Sequence, residues 1–180
     1  LEAVKADAAR PPLKDDRADT LDYLVRRFGD KVTKLAYYHV RDRYLAEDIC
    51  QEVFCRVYKN LRRFRGDSAY YTWIYRITVN LCRDYKASAY FRRMLPAHME
   101  EEMSAAAENR MLEEAEGGEV FSMVMDLPSK MRTAIALYYF EEMKTSEIAQ
   151  VLGISEENVR ARLCRGRELL REKLSQKERF

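Results

Sequence analysis

The chain has 180 residues, enough for one large or two small helical domains, and its 34% charged residues with only 6 glycines and 4 prolines favour long amphipathic helices over a turn-rich β fold. A formal net charge of +2 excludes nucleic-acid binding through a global field, so any such contact must come from local patches. No apolar run approaches the ~18 residues of a membrane span and no signal-peptide core is visible, so a cytoplasmic chain without membrane insertion is expected.

Residues 1–19 are mixed, contain Pro11-Pro12 and have no apolar period, which reads as an N-terminal tail. From Thr20, taken as an N-cap, Leu21, Leu24, Val25, Phe28, Val32, Leu35 and Ala36 keep a three-and-four rhythm that predicts a helix to about Val40. A second helix over Tyr44 to Leu61 turns Ala46, Ile49, Val53, Val57 and Leu61 inward and puts Asp48, Gln51, Glu52 and Cys55 on one outward edge. Its end is basic through Arg56, Lys59, Arg62, Arg63 and Arg65, a pattern suited to phosphates.

The stretch FRGDSAYYTWIYRITVNLCRDY, Phe64 to Tyr85, opens with turn chemistry at Arg65, Gly66, Asp67 and Ser68. From Tyr71 a helix follows, with Ile74, Ile77 and Leu81 as its buried stripe and Thr72, Arg76, Asn80 and Arg83 on another face. That face offers two cations around an amide that can pair with a base edge, beside Tyr71, Trp73 and Tyr75, whose rings can stack on unpaired bases. Aromatic residues at helical spacing fill cores more often than they bind bases, so composition alone leaves the nucleic-acid reading in the minority.

After Asp84 the pattern fades, and residues 89–118, acidic, Ala-rich and ending in Gly117-Gly118, read as a flexible linker. A second domain over 119–176 then begins. Leu127-Pro128-Ser129 starts a helix whose face is Met131, Ala134, Ile135 and Tyr138, and Thr145 is a cap candidate for the helix TSEIAQVL. Gly153-Ile154-Ser155 makes a turn in which Ser155 caps the next helix, the grammar of a helix-turn-helix. On that last helix Val159, Leu163, Gly166 and Leu170 face inward, with Gly166 permitting close packing. Glu157, Ala161, Cys164 and Arg165 point outward, flanked by Asn158, Arg160, Arg162 and Arg167.

The dispersed cysteines, Cys50, Cys55, Cys82 and Cys164, form no CxxC pair and share no ligand spacing with His39 or His98. Small buried thiols in a reducing compartment are expected, with no metal and no cofactor.

Phe64 to Ser68, Thr72 to Ile77 and Asn80 match the pattern F-R-G-D-S-x-x-x-T-W-[LI]-Y-R-I-x-x-N and so resemble the promoter-melting segment of bacterial extracytoplasmic-function sigma factors. AEDICQEVF is similar to the family's polymerase-binding motif, D-x-x-Q-E-x-F, through Asp48, Gln51, Glu52 and Phe54. LPSKMRTAIALYYFEEMKTSEIAQVLGISEENVRARLCRGRELL resembles its promoter-upstream domain. The resemblance spans about Leu21 to Tyr85 and Val120 to Leu174. It implies an all-α fold of two small domains, a sigma2-like bundle over 20–88 and a sigma4-like helix-turn-helix domain over 119–176.

The same resemblance implies that Asp48, Gln51, Glu52 and Phe54 dock on core RNA polymerase. The loop Phe64, Arg65, Gly66, Asp67 and Ser68 would capture a flipped base of the minus-ten element, with Trp73, Arg76, Asn80 and Arg83 holding the melted strand. Asn158, Arg160, Ala161, Arg162, Arg165 and Arg167 would read the minus-thirty-five element of promoter DNA. An anti-sigma factor is a further implied partner. Glu157-Asn158 replaces the family's usual Gly-Thr, so upstream sequence preference does not transfer. The alternatives are a stand-alone helix-turn-helix regulator, which would bind duplex without polymerase, and a helical adaptor. No Ser/His/Asp arrangement, phosphate-cradling glycine loop or paired metal motif supports an enzyme.

Overall fold

A computed structural model describes residues 17–88 and 118–177, and among these the regular structure is helical, with no strand. The described helices are α1 (Arg17–Val40), α2 (Arg43–Asn60), α3 (Tyr70–Ala87), α4 (Gly118–Met125), α5 (Ser129–Tyr139), α6 (Thr145–Leu152) and α7 (Glu156–Lys177), with a 3-10 turn at Leu61–Arg63 after α2. The tail before Arg17 and most of the expected linker lie outside the described residues. The all-α expectation holds.

In α1 the inward line is Leu24, Phe28, Val32, Leu35 and Ala36, all essentially closed to solvent. The helix already includes Arg17, ahead of the expected start, so Thr20 is a buried helical residue rather than a cap. Val25 is exposed, because one step from Leu24 is about 100° round the helix and leaves the buried stripe. Arg41 takes a left-handed φ of 59° between α1 and α2, and Asp42 then caps α2 by accepting the Leu45 amide at 2.9 Å. Ala46, Ile49, Val53 and Val57 close against α1, while Leu61 is only half-buried. Helix α3 packs on both α1 and α2, with Ile74 and Leu81 buried and Ile77 half-buried.

The second bundle follows the expected grammar with one change at its centre. Pro128 sits at the N-cap position of α5, and Gly153 closes α6 in the left-handed conformation, φ 66° and ψ 42°. Ser155 accepts the Asn158 amide at 3.3 Å, as its sequence position implied. The cap of α6, however, is not Thr145: the Glu147 carboxylate reaches back to the Lys144 amide at 2.8 Å, and the Thr145 hydroxyl binds Glu156 instead. Gly166 allows α7 to lie against α5, since a Cβ there would stand 2.9 Å from Ile135 Cγ1.

Helix α5 departs most from its expected pattern. Arg132, Thr133, Ala134, Ile135, Ala136 and Leu137 are buried in succession, whereas Tyr138, assigned inward by periodicity, is exposed. The cause is a second neighbour: α5 packs on α7 on one side and on α1 of the first bundle on the other, while α6 packs on α3. A helix covered on both flanks loses the polar face that makes periodicity readable.

Candidate nucleic-acid interface

A cleft of about 310 Å³ opens where the end of α2 faces α3, walled by Arg56, Asn60, Arg63, Phe64, Trp73, Ile77 and Asn80. Its size is at the lower end of small-ligand sites, ~300–1,000 Å³. An aromatic floor, two guanidinium groups and two side-chain amides in one concavity can stack a flat heterocycle, hydrogen-bond its edge and neutralise an attached phosphate. The floor is preorganised: the Phe64 ring stacks on Tyr70 with centroids 4.4 Å apart and meets Trp73 at 4.9 Å. Gly66, at φ 79°, lets the chain turn between this floor and α3.

Three of the expected minus-ten residues, Phe64, Trp73 and Asn80, thus converge on one cleft. Arg65, Gly66 and Asp67 are exposed and Ser68 half-buried, but none of the four is among its walls. Arg76 and Asn80 stand exposed on α3 as expected. Arg83 is exposed on the same helix, but its Nη2 donates to the Leu152 carbonyl of α6 at 2.9 Å. Thr72 is buried, which removes it from that face.

Tyr71 and Tyr75 correct the reading of α3. Both are buried, at 8% and 1% exposure, so neither ring is available to a base. The two rings meet edge to face at 6.3 Å in the core, and their hydroxyls donate to carboxylates of the second bundle. The bland expectation, that aromatics at helical spacing fill a core, holds for these two but not for half-buried Trp73.

On α2, Asp48 and Gln51 are exposed and Glu52 is half-buried, sharing the outward edge that the sequence implied. Glu52 accepts from Arg56 Nε at 2.9 Å, so the acidic edge and the cleft share a residue pair. Phe54 is 7% exposed and packs in the core. It lies only about 60° round α2 from Gln51, turned into the core, and so supports the edge from beneath instead of contacting a partner directly.

On α7, Asn158, Arg160, Ala161, Arg165 and Arg167 are exposed, as are Glu157 and Cys164. Arg160 is drawn back to Glu156 at 3.1 Å, and Arg167 Nε bonds the Leu163 carbonyl of its own helix at 3.1 Å. Arg162 differs from expectation in being half-buried. Burial, and then the nearby Arg83 guanidinium, hold its pKa below the ordinary arginine value. It therefore lies toward the first bundle rather than on the open face. The exposure of Cys55 and Cys164 also corrects the expectation of uniformly buried thiols; Cys82 is buried, its pKa pushed up to about 12 chiefly by desolvation.

Sequence reasoning missed Asn60 and Ile77 as cleft walls. Asn60 ends α2 with its Nδ2 tied to the Arg56 carbonyl at 2.9 Å, a fixed orientation that leaves the amide oxygen facing outward from that bond. Its one visible signal was an amide at the boundary between a helix and a basic turn. Among the described residues no cluster of His, Cys, Asp and Glu could hold a metal ion, and no helix is long and apolar enough to cross a membrane.

The described residues form two helical bundles with one polar, aromatic-floored cleft, and comparison with known proteins gives the family. The model of Sigma-70 region 2 matches residues 24–92, and that of Sigma-70, region 4 matches residues 118–170. The chain belongs to the sigma-70 family of RNA polymerase sigma factors, in its extracytoplasmic-function group. It is 33% identical over 168 residues to the RNA polymerase sigma-H factor of Pseudomonas aeruginosa, covering 87% of this chain and 86% of that protein. To the ECF RNA polymerase sigma-E factor of Escherichia coli K12 it is 33% identical over 164 residues, 84% of each chain. In fold it is similar to CnrH, solved in complex with the cytosolic domain of CnrY, with a TM-score of 0.63 and 22% identity over 97% of this chain and 95% of that one. The sigma factor RpoE of Bartonella quintana, solved with the anti-sigma factor NepR, gives a TM-score of 0.62 and 14% identity over 86% of this chain and 96% of that one.

Proposed function

We propose that this chain binds core RNA polymerase, directs it to promoters and helps open the DNA there, acting in the cytoplasm and performing no catalysis of its own. Residues 20–88 serve as the polymerase-docking and minus-ten unit, 119–176 as the minus-thirty-five unit, and 89–118 as the connection between them. The observation that carries this reading is the convergence of Phe64, Trp73 and Asn80 with Arg56, Asn60 and Arg63 on one cleft, joined to the acidic edge of α2 through the Glu52–Arg56 pair.

Each group has a definite task. The aromatic floor receives a base turned out of the stack, the Asn80 and Asn60 amides address its edge, and Arg56, Arg63 and Arg76 meet the flanking phosphates. Asp48, Gln51 and Glu52 present a negative, hydrogen-bonding edge to a polymerase surface of opposite sign. Exposed Asn158, Arg160, Ala161, Arg165 and Arg167 of α7 enter a major groove. Glu157 favours cytosine N4 or repels phosphate, which sets this chain's upstream preference apart from that of relatives with a small pair at this site. One structural neighbour, RpoE of Bartonella quintana, is a sigma factor solved with an anti-sigma factor, which supports such a partner for this chain.

The test is the double variant Asp48→Arg/Glu52→Arg, assayed for binding to core polymerase and for transcription in vitro. Reversing two charges on an exposed edge leaves α2 folded while turning attraction into repulsion, at a cost of ~2–5 kcal/mol in core affinity. Wild-type core affinity in the folded double variant would contradict the docking assignment. Tight duplex binding by the wild-type chain without polymerase would favour a stand-alone regulator.

A further inference from the structure

The first turn of α7 carries a carboxylate with two partners. Glu156 Oε2 accepts from the hydroxyl of Thr145, the first residue of α6, at 3.2 Å, and from Arg160 Nη2, one turn further along α7, at 3.1 Å. The pair between half-buried Glu156 and exposed Arg160 joins residues four apart on one helix, a contact that alone is weak and screened by salt. The bond from half-buried Thr145 adds what such a pair lacks, because it comes from a second helix across the Gly153 turn and fixes where the carboxylate stands. Arg160 lies about 100° round α7 from Ala161, on the flank of the helix rather than on its outward line. A helix seated in a major groove turns that flank to the sugar-phosphate wall.

We infer that Glu156 is a positioning residue: anchored by Thr145, it restrains the Arg160 guanidinium so that Arg160 grips a DNA phosphate only when α7 sits in its promoter register. The inference rests on the minus-thirty-five reading by α7 proposed above. A guanidinium has five N–H donors, and the bond to Glu156 uses one, so the others remain for a phosphate placed in one direction. An unrestrained arginine on this flank would swing to whichever phosphate lay nearest, on any sequence and in any register, and phosphate contacts of that kind add affinity without discrimination. The restraint removes the contact from unseated complexes and keeps it in the seated one. Sequence preference then gains from a residue that touches no base.

The test uses the full chain bound to core polymerase and a promoter that wild type selects from a library. Affinity is measured over a salt series on that promoter and on a copy with the minus-thirty-five element scrambled. Glu156→Gln keeps the shape of the side chain and weakens its hold on Arg160. It should steepen the salt slope on the scrambled copy by about one unit, so that the loss of affinity between roughly 50 and 200 mM salt grows about 3.5-fold, and leave the slope on the intact promoter unchanged. Preference for the intact promoter at low salt should fall by a similar factor. Thr145→Val keeps both charges and removes only the anchor, and should act in the same direction with a smaller effect. In an Arg160→Ala background the change at Glu156 should no longer distinguish the two duplexes. A Glu156→Gln protein that shifts both duplexes equally, as loss of a negative charge alone would, or that shifts neither, would overturn the inference. An effect of Glu156→Gln that persists without Arg160 would overturn it as well. A wild type that selects no promoter with core polymerase would overturn the sigma-factor reading itself, and this inference with it.

Discussion

Helices α3 and α7 each carry an exposed ridge of cations and amides, yet they are held in place by different physics. Helix α3 is anchored on two sides: Ile74 and Leu81 sit in the first core, and Tyr71 and Tyr75 extend hydroxyls to carboxylates of the second bundle. Helix α7 is anchored along one stripe, Val159 and Leu163 with Gly166 pressed on Ile135, and the rest of its first three turns is largely open to solvent. The difference teaches that a residue's type does not assign it to a reading face. Three aromatic residues of α3 were candidates for stacking, and burial leaves only Trp73 at the cleft.

The largest expected effect probes the contact between the bundles that distinguishes α3 from α7. His39 is buried beside Thr133, with its pKa lowered to about 4 from an ordinary 6.5, first by desolvation, with a bond to the Leu35 carbonyl opposing and the Lys86, Arg83 and Arg132 cations adding to the depression. Because the folded chain holds this imidazole neutral, the unfolded chain binds more protons between those two values. The contribution is intact above pH 6.5 and is lost as pH falls toward 4, up to ~3 kcal/mol at ~1.4 kcal/mol per pH unit. Glu141 works against it: burial raises its pKa, so the folded chain takes up that proton earlier on acidification and recovers part of the loss. Urea unfolding at pH 7 and pH 4.5 should show a net loss in wild type and a smaller one in His39→Gln. Equal losses in the two proteins would remove His39 as the source.

Next in size is the close approach that anchors α7. Gly166→Val drives a branched side chain into Ile135 and should cost ~1–3 kcal/mol of stability by overpacking. Thermal unfolding of the full chain measures it, and a cost near zero would mean that α7 shifts freely on α5. The smallest effect is expected on the open ridge of α3. Asn80→Ala should change stability by no more than ~0.5 kcal/mol, since the side chain is exposed, while open-complex formation falls and is partly restored on a template already unpaired at minus ten. A large loss of stability would make Asn80 a packing residue.

The legible parts of the sequence were those where one face is buried and the other wet. The stripes of α1 and α2, the Gly153 turn, the Ser155 cap and the role of Gly166 follow from local chemistry, and the structure keeps them. The less legible parts depend on contacts between distant segments. Helix α5 reads as one-sided from residues 129–139, because nothing local announces that α1 covers its other flank and buries Arg132 and Thr133. Arg162 is half-buried for a like reason, since its neighbour Arg83 comes from α3, a segment distant in sequence. The cleft was legible through Phe64, Trp73 and Asn80, whereas Asn60 joins it only when the end of α2 is laid across α3.

The most direct test of the two-reader account is transcription in vitro from a promoter library, comparing wild type with Arg165→Ala and Asn80→Ala in the presence of core polymerase. Arg165 stands exposed on the outward line of α7, while Asn80 lines the cleft. The account predicts that Arg165→Ala flattens preference at one base pair of the minus-thirty-five element, by ~1–3 kcal/mol of discrimination, and leaves minus-ten preference unchanged. Asn80→Ala should alter only the minus-ten element. A library in which Arg165→Ala shifted minus-ten preference, or changed overall activity alone, would contradict the division of labour between the two helices.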